Sequence, residues 1–148
     1  MLVLVLNGVN LARLGAREPE VYGSMSYDKL VEHINGSALG LGLDVDVRQT
    51  DSEQTMVSWL HEASDHSYPV VINPGAWTHY SHAIGDAARE VGTLVEVHVT
   101  NIYAREEFRH LSVISPLAQG VIAGLGWAGY DFALGYIASQ LVDADGQR

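Results

Sequence analysis

The sequence predicts a single α/β domain, a flavodoxin-like parallel sheet of five strands in the order 2-1-3-4-5 with helices on both faces. Three observations carry that prediction. Short apolar runs of strand length alternate along the chain with amphipathic stretches of helical period, the pattern of right-handed strand–helix–strand crossovers. The runs Leu2 to Leu6 and Val70 to Ile72 are continuously apolar, as strands covered on both faces must be. A chain of 148 residues, 47% of them hydrophobic, supplies one core of ordinary size.

Each element follows from local signals. Leu2 to Leu6 is the first strand. The stretch from Asn7 to Met25 is polar, holds Gly8, Gly15, Pro19 and Gly23, and is longer than a plain connection, which marks it as functional or disordered. Ser26 caps a helix with Leu30, Ile34, Ala38 and Leu41 on one face, and Gly40 and Gly42 end it. Strand two is Asp44 to Gln49. Asp51 with Gln54 reads as a capping box that opens a helix carrying Met56, Leu60 and Ala63. Pro69 leads into the third strand, and Asn73-Pro74-Gly75-Ala76 is a turn. A helix from Ser81 to Val91 carries Ile84, Ala87 and Ala88. Leu94 to Val99 is strand four and Val121 to Gly124 strand five. The last helix, Ala128 to Leu141, repeats Tyr130, Ala133, Leu134, Ile137 and Leu141 at helical spacing. The catalytic domain is expected over residues 1–142, with 143–148 a frayed tail.

Composition removes several function classes. The formal net charge of -10 makes nucleic acid a poor partner. The absence of cysteine removes disulfides, thiolate nucleophiles and thiolate zinc sites. The apolar run at the N-terminus stops at Asn7 and has no basic residues before it. It is too short for a secretion signal or a membrane span, so no membrane partner and a cytoplasmic location are expected. Asn35-Gly36-Ser37 matches a glycosylation sequon but reads as the polar end of a helix. Of eight Lys and Arg residues, Arg13 and Arg17 fall in one stretch and Arg105 and Arg109 in another. They are either a local anion site or ordinary loop arginines.

In open parallel sheets, ligands bind beyond the carboxyl ends of the strands. There the chain places Asn7, Asn10, Arg13, Arg17 and Tyr22 after strand one. It places Asn73, Thr78 and His79 after strand three, and Glu96, His98, Thr100, Asn101, Arg105 and Arg109 around the end of strand four. No glycine-rich dinucleotide or phosphate-loop spacing is present, nor a serine nucleophile elbow. His79 and His82 stand three apart, but a third ligand at standard spacing is missing, so no metal is read from them. Glu96 and His98 are two apart on a strand and share a face. A carboxylate there fixes the imidazole tautomer and favours its protonated form. Such a pair is either a general acid with its orienting partner or two groups satisfying each other at a strand end. Tyr22 needs a nearby cation to serve as a base, because a free phenol ionises only near ~10. Otherwise it is a packing residue or a lid anchor.

Longer motifs narrow these alternatives. Asn7-Gly8-Val9-Asn10-Leu11, followed by Leu14-Gly15-Ala16-Arg17-Glu18-Pro19-Glu20-Val21-Tyr22-Gly23, resembles the signature of the type II 3-dehydroquinate dehydratases. The resemblance continues through Asp51-Ser52-Glu53, Asn73-Pro74-Gly75-Ala76 with Thr78-His79, and Glu96-Val97-His98 with Asn101. It extends over Ala104-Arg105-Glu106, Phe108-Arg109, Ser115-Pro116, Gly120 to Gly126 and Gly129-Tyr130. It implies a lyase that converts 3-dehydroquinate to 3-dehydroshikimate without cofactor or metal, in the shikimate pathway that feeds chorismate and the aromatic amino acids. Tyr22, activated by Arg17, would remove the C2 proton. Asn10 would help hold a water against the enolate, and His98, oriented by Glu96, would protonate the departing C1 hydroxyl. Asn73, Thr100 and the backbone at Val99 would hold the substrate carboxylate, while His79, Arg109 and Asp86 would read the ring hydroxyls. The resemblance also implies a homo-oligomer, trimers assembled into a dodecamer, with Asp86 reaching a neighbouring subunit's site.

Several positions depart from the family pattern. Val9 stands where proline is usual, which loosens the turn before Asn10, and Thr100 stands where serine is usual. Tyr80, His82 and Gly85 also differ, and a glycine inside a helix costs about 1 kcal/mol against alanine. These changes bear on affinity and subunit contacts. Three other readings use the same residues: catabolism of quinate by the same reaction, a lyase acting on a different polyhydroxy cyclohexane acid, and a non-catalytic flavodoxin-like binding module. The loop carrying Arg17 and Tyr22 is expected to act as a lid over bound substrate.

Overall fold

The computed structural model describes residues 1–16, 20 and 25–146. Arg17, Tyr22 and the expected lid lie outside the described residues. The five strands are β1 (Leu2–Asn7), β2 (Asp44–Gln49), β3 (Val70–Asn73), β4 (Leu94–His98) and β5 (Gly120–Ala123). All pairings are parallel and the order is β2-β1-β3-β4-β5, as the alternating pattern predicts. The helices are α1 (Tyr27–Gly40), α2 (Glu53–His66), α3 (His82–Ala88) and α4 (Ala128–Gly146). Among the described residues no helix is long and apolar enough to cross a membrane.

The sheet separates two cores. Alternate residues of a strand face opposite sides, so Val3, Val5, Val71, Val95 and Val97 meet α1 and α4 on one face. Leu4, Leu6, Val70, Ile72 and Leu94 meet α2 and α3 on the other. This parity decides where polar groups at the strand ends point. Asn7 and Asn73 continue the α1–α4 face, whereas Glu96 and His98 continue the α2–α3 face.

Local chemistry corrects several expectations. Ser52, not Asp51, caps α2 and accepts from the Thr55 N–H at 3.3 Å. Asp51 instead accepts from the Asn10 N–H at 2.8 Å and from Gln49 Nε2 at 3.0 Å, a tertiary use that a capping pattern cannot reveal. Leu41 is exposed because it follows the end of α1, while Leu30, Ile34 and Ala38 are buried. Helix α3 stops at Ala88, and the next turn tightens to three-residue hydrogen bonds, Glu90 to Ala87 and Val91 to Ala88. Helix α4 continues past Leu141 to Gly146, beyond the end at Leu141 that the spacing predicts. No proline falls within the helix, and no glycine interrupts it between Gly135 and Gly146. Gly85 faces the Val113 carbonyl, which a Cβ would meet at 3.4 Å, so its lack of a side chain lets α3 approach that loop.

Two loops that build the site lie back to back. A Cβ on Gly8 would stand 2.4 Å from the Pro74 carbonyl oxygen, and one on Gly75, at φ 62°, would stand 2.9 Å from the Val9 carbonyl oxygen. Asn10 holds a left-handed backbone, φ 69°, which asparagine tolerates better than most residues. Its clasp by Asp51 restrains the turn that Val9 was expected to loosen. Gly8→Ala is expected to cost about 1–3 kcal/mol through overpacking, read as a lowered urea midpoint, and to reduce activity by separating the loops. Unchanged stability would show that the loops do not meet as described.

Candidate active site

Beyond the carboxyl ends of β1, β3 and β4 lies one crevice. Asn10, Asn73, His79, His98, Val99, Thr100 and Arg109 all line it. These seven, together with Arg105, are residues singled out from the sequence that three loops bring together. Asp86 is exposed on α3 and does not line the crevice. Neither does His82, which is exposed on the same helix.

Glu96 is the most constrained group beneath the crevice. It has no exposed surface. His98 Nε2 lies 3.1 Å from Glu96 Oε2, and Ser115 Oγ donates to that oxygen at 2.6 Å. Thr78 Oγ1 donates to Oε1 at 2.8 Å, with Ser112 Oγ at 3.2 Å. Burial pushes the Glu96 carboxyl up, but the hydrogen bonds from His98, Ser115 and Thr78 outweigh it and hold the group below its ordinary value. Glu96 is therefore an anion at neutral pH, and an anion accepts a proton-bearing nitrogen from His98. With Nε2 donating to Glu96, Nδ1 is the nitrogen left to the crevice.

The remaining walls are cationic and aromatic. His79 Nδ1 donates to the Leu111 carbonyl at 2.7 Å, which leaves Nε2 as an acceptor in the neutral ring. Burial lowers the His79 pKa, and the positive groups His98 and Arg109 act in the same direction. Phe108 packs edge-on against His79, with ring centroids 5.7 Å apart, and its face carries the Arg109 guanidinium at 4.6 Å. Arg109 is steadied by Glu106. Arg105 also lines the crevice and donates to Thr100 Oγ1 at 3.4 Å. Of the two arginine pairs in the sequence, Arg105 and Arg109 thus form a local cationic wall, whereas Arg13 does not line the crevice.

Some residues serve differently from their sequence reading. Thr78 points inward to Glu96, and Asn101 caps a short turn by accepting from the Tyr103 N–H. Asn7 is buried and reached by the Tyr130 hydroxyl. Ser112 and the Tyr130 hydroxyl had no assigned role, since neither lies next to the acid–base groups in sequence. A buried helix position filled by tyrosine rather than phenylalanine was the available signal, because a buried hydroxyl requires a partner.

Fold and crevice define the class: a parallel α/β enzyme with an imidazole–carboxylate pair at a strand end, groups able to transfer protons, and cationic walls suited to an anionic substrate. The chain belongs to the class II dehydroquinase family, whose model matches residues 1–138. It is 55% identical to a 3-dehydroquinate dehydratase of Salinispora tropica over 141 residues, covering 95% of this chain and 99% of that one. It is 50% identical to a 3-dehydroquinate dehydratase of Mycobacterium tuberculosis over 142 residues, 95% and 97% of the two chains. Among solved structures, the type II dehydroquinase of Propionibacterium acnes superposes with a TM-score of 0.92 at 53% identity, covering 93% and 96%.

Proposed function

We propose that the chain dehydrates 3-dehydroquinate to 3-dehydroshikimate, a step of the shikimate pathway, with His98 as the general acid. The observation that carries this reading is the His98–Glu96 contact of 3.1 Å at the crevice edge, backed by a carboxylate held ionised by hydroxyl donors. The C3 ketone acidifies the C2 proton, and Tyr22, its phenol activated by Arg17, removes it. Asn10, which lines the crevice, helps hold a water that stabilises the enolate. His98 then passes its Nδ1 proton to the C1 hydroxyl, which departs as water. Glu96 holds the ring in the necessary tautomer and stabilises its cationic form. Asn73, Thr100 and the Val99 backbone receive the carboxylate beside the Arg105 cation. His79 Nε2 accepts from a ring hydroxyl, and Arg109 donates to another.

The test is direct. Purified protein mixed with 3-dehydroquinate should develop the ultraviolet absorbance of a conjugated enone. No absorbance change with an intact, folded protein would overturn the assignment.

The protein works as a cytoplasmic homo-oligomer of trimers assembled into a dodecamer, in which Asp86 serves a neighbouring subunit. The exposed position of Asp86 supports this. So does the apolar surface at the β5 edge and α4, where Val121, Leu125, Phe132 and Tyr136 are exposed, since monomers rarely display such patches. Sedimentation at micromolar concentration should show no substantial monomer; a stable, fully active monomer would refute the assembly.

A further inference from the structure

The ends of β1 and β3 carry a buried polar pair that the proton-transfer chemistry does not use. Asn7 and Asn73 are register partners on adjacent strands, so both side chains leave the sheet on the α4 face. The Tyr130 hydroxyl lies between them, on a side chain with no exposed surface. It donates to Asn7 Oδ1 at 2.6 Å and accepts from Asn73 Nδ2 at 3.0 Å. The other end of the Asn73 amide is also held, because Oδ1 accepts the Gly75 N–H at 3.2 Å. Asn73 therefore has one amide orientation, oxygen toward Gly75 and nitrogen toward Tyr130. The nitrogen carries two hydrogens. One goes to Tyr130, and the second is left for the crevice that Asn73 lines.

Direction in this chain of hydrogen bonds comes from Asn7. A phenolic hydroxyl both donates and accepts. Because Asn7 Oδ1 takes its proton, only a lone pair faces Asn73, and a lone pair selects the amide nitrogen over the oxygen. Asn7 is kept buried with its Nδ2 turned to the Tyr27 hydroxyl, a contact short of good hydrogen-bond geometry, an arrangement that costs stability. Gly129 contributes the depth. A Cβ there would meet Val97 Cγ1 at 3.1 Å, so the glycine lets the first turn of α4 lie on β4 and carries Tyr130 down to the strand ends.

We propose that Tyr130, aimed by Asn7, is a positioning residue for substrate binding, locking the Asn73 amide so that it presents an N–H to the substrate carboxylate. The inference rests on the reading that Asn73 receives that carboxylate. Three variants test it: Tyr130→Phe, Asn7→Leu and Asn73→Ala. Each is measured for turnover of 3-dehydroquinate, thermal stability, and competitive inhibition by a saturated polyhydroxy cyclohexane carboxylate and by its primary amide. Tyr130→Phe should raise KM by about tenfold or more, the effect of losing one hydrogen bond to a charged group, with kcat changed far less. Its preference for the acid inhibitor over the amide should fall to the same degree. Asn7→Leu takes away the acceptor that directs the Tyr130 hydroxyl; it should lower thermal stability, since the buried O–H is left unpaired, and should lose the acid-over-amide preference to the same degree as Tyr130→Phe, which a merely structural role would not produce. Asn73→Ala should lose the preference as well. If Asn73→Ala keeps it, the carboxylate reading falls and takes the inference with it. If Asn73→Ala loses it while Tyr130→Phe and Asn7→Leu keep it, that reading stands and the positioning role is overturned.

Discussion

Glu96→Gln is expected to lower kcat at least about 10²-fold, the lower end of what a positioned general acid contributes, while leaving KM within a few-fold. The substitution preserves volume in a site with no exposed surface but replaces an anion that accepts from His98, Ser115 and Thr78. The cationic form of His98 loses its counter-charge, so the alkaline limb of the kcat profile should move to lower pH. Stability should respond with a definite sign. The folded-state pKa of Glu96 is depressed from the ordinary 4.5, so its contribution is fully present above that value and is lost as pH falls through the folded pKa. The stability gap between wild type and variant, about 1–3 kcal/mol for a buried group left badly paired, should therefore be full at neutral pH and close on acidification. Unchanged kcat and an unmoved alkaline limb would show that Glu96 only fills space.

Tyr22→Phe should abolish turnover and leave substrate binding nearly intact. Only a hydroxyl is removed, and that hydroxyl is the proposed base, so the loss should fall on kcat. A variant that keeps more than about a tenth of wild-type kcat, ~1.4 kcal/mol of barrier, would exclude Tyr22 as the base. Arg17→Lys should fail to restore the wild-type pH–rate profile, because a flexible ammonium does not reproduce a planar, permanently charged guanidinium. An unchanged profile would mean that another group activates the phenol. Both residues lie outside the described part of the structure, and these expectations rest on the family resemblance and on the chemistry of a phenol.

The crevice itself was legible in the sequence to the extent that its residues follow strand ends. Once Asn73, His79, His98, Thr100 and Arg109 are placed after parallel strands, topology alone brings them to one edge. The Glu96–His98 pair was legible for a simpler reason, since two residues apart on a strand means one face. The hydroxyls of Ser112, Ser115 and Thr78 were not legible as a cage around Glu96. They come from loops whose path is set by contacts distant in the chain, and no periodicity ties them to β4. Asp51 shows the same limit, because a residue that looks like a helix cap bonds the Asn10 backbone 41 positions away.

By itself the sequence determined the layered α/β architecture, the strand order, the shared strand face of Glu96 and His98, and the family, because these depend on local period, strand parity and contiguous motifs. Only the tertiary structure decided how the site is held. The face on which Asn7 and Asn73 meet Tyr130, the approach of Gly8 to Pro74, and the enclosure of the Glu96 carboxylate arise where elements far apart in the chain touch. Their energies come from fit and from the pairing of buried polar groups, which exist only once the sheet and both helical layers have closed.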